Sequence, residues 1–477
     1  MALTVAALFI HGYHPYAEDA EIYLPGVLKH LDPGLFPVNG EFFAEHAGHS
    51  LYPNLIAASV GVTHLPVAWA MFLWQVTSIF LLLAATWQLA SAFFEQALAR
   101  WAAVTLMTAL LTLPLAGTAL YIHDQYLNPR NLAAFAALFA VAATLGKRYY
   151  NAAAWLLFAA LVHPLMSSFA IAFCVWLVVL DRYHPRALGF AVLFPFSLLD
   201  PAPPAYHEVA LRQSYFYVQH WHWYEWLGVI GPVFLFWWLA RIGRQRRIQS
   251  VELAARAMIP FILAGTAAAI VFSLPPQFEA LARFEPLRCL ALAYMVLIVL
   301  GGGFLGLEIL RKHTWRWLVL FVPLFLGMFF AQRQLFPASA HIEWPWCRPR
   351  NPWANAFEWI RDNTPKDAVF ALDPNHMALA GEDENGFRAR AQRSRLADAV
   401  KDKGAASAFP PLATRWLEQV EDEKDWKQFR QSDFERLQQK YGVSWLVVEK
   451  PHQDGMQCPY ENKAVSICRL GEASARR

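Results

Sequence analysis

Apolar residues run in blocks through residues 1–336, separated by short polar turns. After about 340 they give way to mixed polar and charged sequence. A helix that crosses a bilayer needs roughly 20 mainly apolar residues. The blocks place spans at 66–93, 102–122, 131–146, 151–163, 164–180, 187–199, 226–241, 256–274, 287–310 and 315–333. Several are shorter than a full crossing and require short, tilted or extended helices. Residues 151–180 form one apolar run broken at His163–Pro164. Proline breaks or kinks a helix, so this run reads either as two spans or as one kinked helix. The opening MALTVAALFI is apolar but supplies about half of a crossing. It lacks the basic n-region and cleavage site of a signal peptide. We expect it to end a first span whose upstream half precedes this start.

The basic residues choose between these readings, because Lys and Arg concentrate in cytoplasmic loops. They cluster at Lys147-Arg148, at Arg182 with Arg186, at Arg241-Arg244-Arg246-Arg247, and at Arg311-Lys312 with Arg316. All four fall on one side if residues 1–11 cross once and His163–Pro164 marks a turn. The expectation is a polytopic α-helical membrane protein of about eleven transmembrane helices, with its N-terminus inside. Segments 12–65, 123–130, 200–225 and 275–286 then lie outside. So does everything beyond the last span, giving a transmembrane domain over 1–338 and an extracytoplasmic domain over 339–477. In the long outer loop 12–65, EIYLPGVLKHLD and SLYPNLIAASVGV are amphipathic and predict helices lying at the interface. YFYVQHWHWYEW reads as an aromatic belt where a helix enters the membrane.

The C-terminal region predicts a small α/β domain. Trp353, Phe357 and Ile360 stand at helical spacing before a proline stop. DAVFAL (367–372), SWLVVE (444–449) and AVSICRL (464–470) read as strands. Ser432 with Glu435 reads as a capping box.

Composition narrows the function. Hydrophobic residues make up 57% and charged residues 16%, against roughly 25% charged in a soluble chain. Disordered, collagenous and disulfide-stapled classes are excluded. A net charge of +3 gives no argument for nucleic acid. There is no Walker A, GxGxxG, HExxH or paired CxxC motif, which removes the usual support for soluble NTPase, Rossmann and zinc-site readings.

Chemistry is expected where polar residues meet the outer membrane face. His14, Glu18, Asp19 and Glu21 follow the first span. Their carboxylates suit a general base or a divalent cation such as Mg or Mn; a solvated loop start is the plain alternative. His123, Asp124, Asn128 and Arg130 lie in YIHDQYLNPRN between two spans. Arg130 suits bidentate phosphate binding, or snorkels to the interface; Asn128 contributes to the site or caps the next helix. His163 at the helix break lines a cavity or satisfies a freed carbonyl. Arg288 contacts an anion or snorkels. Arg388, Arg390, Arg393, Arg395 and Lys401 read as a solvated helix face, with a phosphate- or glycan-facing strip as the alternative. His46 and His49 have metal-like spacing without further ligands, and His220 and His222 read as belt residues. Cys458 and Cys468 bracket a short segment and are expected to form a disulfide, leaving Cys347 unpaired. Cys174 and Cys289 read as packing residues.

The pattern resembles the GT-C superfamily of polytopic glycosyltransferases. The likeness rests on a first span followed by a long outer loop opening with acids (AED at 17–19), a short outer loop carrying an acid and Arg (HDQYLNPR), and an α/β domain after the last span. GYHPYAEDAEIYLP, LNPRNLA, LVHPLM, FEPLRCL and NTPKDAVFALDP resemble a bacterial membrane-protein family related to it, over nearly the whole chain. The resemblance implies a sugar transferred from a polyprenyl-phosphate-linked donor on the outer face of the bacterial inner membrane. Asp19, Glu18 and Asp124 would be the catalytic acids. Arg130 or Arg288 would hold the lipid phosphate, with His14, His123, Asn128 and His163 as further substrate contacts. The oligosaccharyltransferase WWD-type motif is absent. The competing expectations are a non-catalytic transporter or flippase for lipid-linked glycans, and an assembly factor.

Overall fold

A computed structural model describes residues 1–110, 118, 120–183, 203–274, 276–451 and 456–471. Among the described residues, ten apolar helices make up the N-terminal part: α1 (Ala2–His11), then α5 (Val67–Phe93), α6 (Ala97–Ala109), α7 (Pro129–Leu145), α8 (Tyr149–Val162), α9 (Pro164–Tyr183), α11 (Leu227–Gln245), α12 (Gln249–Ser273), α13 (Cys289–Phe304) and α14 (Thr314–Arg333). Six stretches are long and apolar enough to cross a membrane: α5, α9, α11, α12, α14 and Phe278–Leu310, which contains α13. The other four helices are shorter. Between α1 and α5 lie α2 (Ala20–Leu31), α3 (Glu41–Gly48) and α4 (Tyr52–Thr63), and between α9 and α11 lies α10 (Pro204–Leu211). The expected span 187–199 falls outside the described residues. The span expected over 102–122 begins earlier, at Ala97, and its described helix ends at Ala109.

His163 is a turn, not a kink. Lys147, between α7 and α8, lies 2.9 Å from Asp181 near the end of α9. Arg182 sits over the ring of Tyr149 at the start of α8. Those contacts require α9 to run back alongside α8. Arg246 pairs with Glu308, which brings the α11–α12 turn to the far end of α13. The basic turns therefore gather at the helix ends opposite those of Pro129, Val162, Pro164 and Arg288.

Small residues let the helices approach. A Cβ on Gly302 would lie 2.6 Å from Ala103 Cα, and one on Gly306 would lie 2.7 Å from Leu98 O. Within a bilayer, where apolar burial gives little net drive between helices, such backbone contact is a main source of association.

The C-terminal part holds α15 (Pro352–Asn363), α16 (Phe387–Ala391), α17 (Asp402–Ala408), α18 (Ala413–Asp422) and α19 (Gln431–Tyr441) around one sheet. Its strands are β1 (Val369–Leu372), β2 (Ser394–Arg395), β3 (Trp445–Glu449), β4 (Gln457–Glu461) and β5 (Val465–Arg469), in the order β2-β1-β3-β5-β4. β2, β1 and β3 are parallel; β5 and β4 continue antiparallel. Trp353, Phe357 and Ile360 are buried against this sheet. α19 begins before the expected cap: Asp433, not Glu435, reaches back, accepting from the Arg430 N–H at 2.9 Å. Asp433 meets the capping-box geometry two residues earlier and places an acid in the first turn, where the helix dipole favours it.

Cys458 in β4 and Cys468 in β5 are joined by a disulfide, with Cα atoms 3.9 Å apart. β4 is an edge strand carrying Pro459, and the link ties it to the buried β5. Closing so short a loop corresponds to roughly 3 kcal/mol of chain entropy. The Cys458→Ser/Cys468→Ser variant is therefore expected to unfold its sheet domain at lower denaturant concentration, by tryptophan fluorescence, than the oxidised wild type. An unchanged midpoint would refute this.

The sheet domain seats on the first long loop. Ala17 bridges Asn385; the Gly386 N–H donates to Tyr16 O at 2.7 Å; Val38 N donates to Ser394 Oγ and Asn39 Nδ2 to Arg395 O. Behind it, Tyr206 of α10 donates to Ser407 O at 2.9 Å.

Candidate functional site

Where the sheet domain meets the helix ends, a cavity of about 970 Å³ opens. Its walls come from every part of the chain: Glu18 and Asp19 of the first loop, Asp124 and Arg130 of the second, His163, Arg288 before α13, and Glu384 and Lys401 of the sheet domain.

Arg130 is placed by the sequence Asn128-Pro129-Arg130. The buried Asn128 is the N-cap of α7, its Oδ1 accepting from the Arg130 N–H at 2.8 Å, and Pro129 occupies the first helical position, where its missing N–H costs nothing. The second residue is thereby fixed at the cavity wall. Asn128 Nδ2 donates to Asp124 at 2.7 Å, orienting the acid toward the arginine. The Arg130 guanidinium then donates to Asp19 at 2.6 Å, to Asp124 at 3.4 Å and to Tyr126 Oη at 3.1 Å. Burial raises the Asp124 pKa, against the pull of Arg130 and Asn128.

Asp19 also accepts from Lys401 Nζ at 3.1 Å, and Glu18 pairs with the same ammonium. Glu18 has a left-handed backbone (φ 57), and its N–H donates to Glu384 O at 2.9 Å. Glu384 and Asp383 are left-handed as well. Such non-glycine conformations persist where surrounding contacts fix them.

The expected site residues divide. Asp19, Glu18, Asp124, Arg130, His123, His163 and Arg288 line the cavity. His14 stands behind it, bonded to Glu343 at 3.1 Å and stacked on Phe336. Asn128 is wholly buried as a cap and is not a wall residue. Glu21 is fully buried against Arg388 and the Ala389 N–H. His123 reaches the cavity, but its Nε2 bonds Met107 O and its ring stacks on His11; burial holds its pKa down at about 4, so it stays neutral. Arg288 pairs with Glu285 beside the ring of Tyr215. His46 and His49, set aside as isolated histidines, also line the cavity.

The arginine strip is a correction. Arg388, Arg390, Arg393 and Arg395 are buried, not a solvated helix face. Each guanidinium finds acceptors, as burial demands. Arg388 holds Asp402 at 2.7 and 2.9 Å; Arg390 holds Glu343 and Glu358; Arg393 donates to the Arg361 and Thr364 carbonyls; Arg395 meets Leu396 O and His376. Burial opposes the charge of Glu343, yet Arg390 and His14 outweigh it and hold its pKa at about 2. Of the five basic residues of that strip, Lys401 turns into the cavity.

A divalent cation does not fit here. Glu18 and Asp19 are already met by Lys401 and by the Arg130 guanidinium, although burial lowers the Lys401 pKa to about 7. Among the described residues, no three His, Cys, Asp or Glu side chains gather in a metal-binding group.

Sequence reasoning missed Glu384. It lies in GEDENG, which carries no periodicity and reads as a polar turn. Its Oε2 is buried without a hydrogen-bond partner, and burial, with the charges of Asp19 and Asp383, raises its pKa to about 7.

A family model described as a domain of unknown function (DUF6798) matches residues 351–418. The matched stretch runs from the start of α15 into α18 and carries Glu384, Arg388 and Lys401. No curated protein matches the chain.

Proposed function

We propose that the protein is a GT-C-type membrane glycosyltransferase that takes a sugar from a polyprenyl-phosphate-linked donor on the outer face of the bacterial inner membrane. One observation carries this reading: Asp19 and Arg130, 111 residues apart, meet at 2.6 Å in a large charged cavity at the helix ends. Glycosyl transfer needs a base beside the acceptor and a cation beside the departing phosphate, and the cavity holds both kinds of group. A narrow apolar cleft adjoins it, lined by Ala134, Ala137, Phe169, Leu292 and Met295 next to Arg130 and Arg288. The gathering of basic turns at the opposite helix ends supports about eleven crossings, with cavity and sheet domain outside.

Two measurements test this. Cys347 is an exposed free thiol, whereas Cys174 and Cys289 are buried. A membrane-impermeant maleimide added to intact cells whose outer membrane has been opened should label Cys347; labelling only after lysis refutes the orientation. Vesicles of phosphatidylethanolamine and phosphatidylglycerol carrying the protein, given a panel of hydroxyl acceptors (water, glycerol, mono- and disaccharides and serine peptides), should transfer the sugar and release farnesyl phosphate from a panel of farnesyl-phosphoryl hexoses and pentoses, and Arg288→Gln should slow this release. Counter-transport of an intact donor without release would favour the flippase reading, and binding without either would favour an assembly factor.

A further inference from the structure

Five acids line the cavity, and four of them are occupied. Glu18 pairs with Lys401, Asp19 with Arg130 and Lys401, Asp124 with Arg130 and Asn128, and Glu285 with Arg288. The oxygens of these four face cationic or amide partners, which leaves them less open to an incoming hydroxyl. Glu384 has no ion pair among the described residues, and its Oε2 is buried without a partner.

We propose that Glu384, delivered by the sheet domain, takes the proton of the acceptor hydroxyl, while Asp19 serves as the fixed counter-ion of Arg130. The assignment rests on the transferase reading above. Its geometry is built. Segment 384–386 is stitched to the first loop at three places: Glu18 N to Glu384 O, the Ala17–Asn385 bridge, and Gly386 N to Tyr16 O. Gly386 permits the approach, since a Cβ there would lie 2.7 Å from Glu21 Oε2. The titratable groups around Glu384 are Glu18, Asp19, Tyr121, Glu382, Asp383 and Lys401. Burial, with the charges of Asp19 and Asp383, favours proton uptake and brings Glu384 to about 7, where a general base is most effective.

In the step, the hydroxyl proton passes to the Glu384 carboxylate as the acceptor oxygen bonds to the anomeric carbon. The bond from that carbon to the phosphate oxygen breaks, and its electron pair leaves with the phosphate beside Arg288. The sheet domain then completes the site, and the membrane helices alone lack its proton acceptor.

Two experiments on the full chain in vesicles test the assignment. Dicyclohexylcarbodiimide modifies protonated carboxyls in apolar surroundings. Mass mapping should find it on Glu384, with labelling falling as pH rises through about 7 and reduced by prior farnesyl phosphate. Label on Asp19 or Asp124 instead of Glu384 overturns the assignment without reference to turnover. In the release assay, Glu384→Gln should bind farnesyl phosphate like the wild type yet release it roughly 100-fold more slowly, and Glu384→Asp should regain part of the rate with a displaced acid limb. Wild-type release by Glu384→Gln alongside an inactive Asp19→Asn overturns the assignment and leaves the transferase reading standing. A wild-type protein that consumes no donor overturns both.

Discussion

Replacing Arg130 with methionine is expected to destabilise the protein by about 3–5 kcal/mol, the usual cost of removing one partner from a buried charge cluster. Arg130 is shared by Asp19 at 2.6 Å and Asp124 at 3.4 Å. Asp19 keeps Lys401 after the change, but Asp124, almost wholly buried, keeps only Asn128. Its carboxyl then has two options: to ionise without a cation or to stay protonated. Either way its folded pKa rises above the unfolded value of about 3.9. The added stability penalty is absent below that value and grows as pH rises, so the variant should lose more stability relative to wild type at pH 8 than at about pH 5. Thermal unfolding of detergent-solubilised protein at the two pH values measures this. The Asp124→Asn/Arg130→Met double variant removes the stranded charge and should recover much of the loss and most of its pH dependence. A pH-independent loss that the double variant does not relieve would show that Arg130 acts through packing alone.

The membrane architecture was legible because long apolar runs with basic turns have few other solutions. The Lys147–Asp181 pair needed the structure, yet the turn it marks at His163 was already favoured by the distribution of basic residues. GGGFLG could have been read further: Gly302 and Gly306 fall four apart, the spacing at which two helices approach. The loop groups were found by their place beside an apolar run, which is why Asp19, Asp124 and Arg130 stand out. The arginine strip misled because alternating charge in a short segment looks the same whether water or carboxylates surround it. Arg388, for one, is met by Glu21, which lies far away in sequence. Glu384 was invisible for a related reason. Nothing local distinguishes it from Asp383; the docking of its loop on residues 16–18 is what puts Glu384, and not Asp383, on the cavity wall. β2 and β4 were missed because one is two residues long and the other is an edge strand interrupted by Pro459.

Arg388 tests whether the sheet domain and the membrane loops are one unit. Its side chain is 1% exposed and meets Asp402 through two bonds, Glu21 at 3.3 Å and Asp398 at 4.0 Å. Asp402 belongs to its own domain; Glu21 belongs to α2 in the first loop. Arg388→Met should therefore strand three fully buried carboxylates and cost about 3–5 kcal/mol. Glu21→Gln should cost less, on the order of 1–3 kcal/mol, because Arg388 keeps its bidentate partner and the amide can still accept from the Ala389 N–H. The two variants should also fail differently. Glu21→Gln weakens the seam between loop and sheet domain while leaving the domain folded, so proteolysis should cut first near residues 338–350, releasing an intact C-terminal fragment. Arg388→Met unfolds the domain around Asp398 and Asp402, so cleavage should spread through 380–410. Identical cleavage patterns in the two variants would mean that Glu21 and Asp402 are not separate anchors, and that the domain does not depend on Arg388 to hold itself together apart from the loop. Because Glu384 and Lys401 reach the cavity only through this seam, Glu21→Gln should also reduce carbodiimide labelling of Glu384, although Glu21 does not line the cavity.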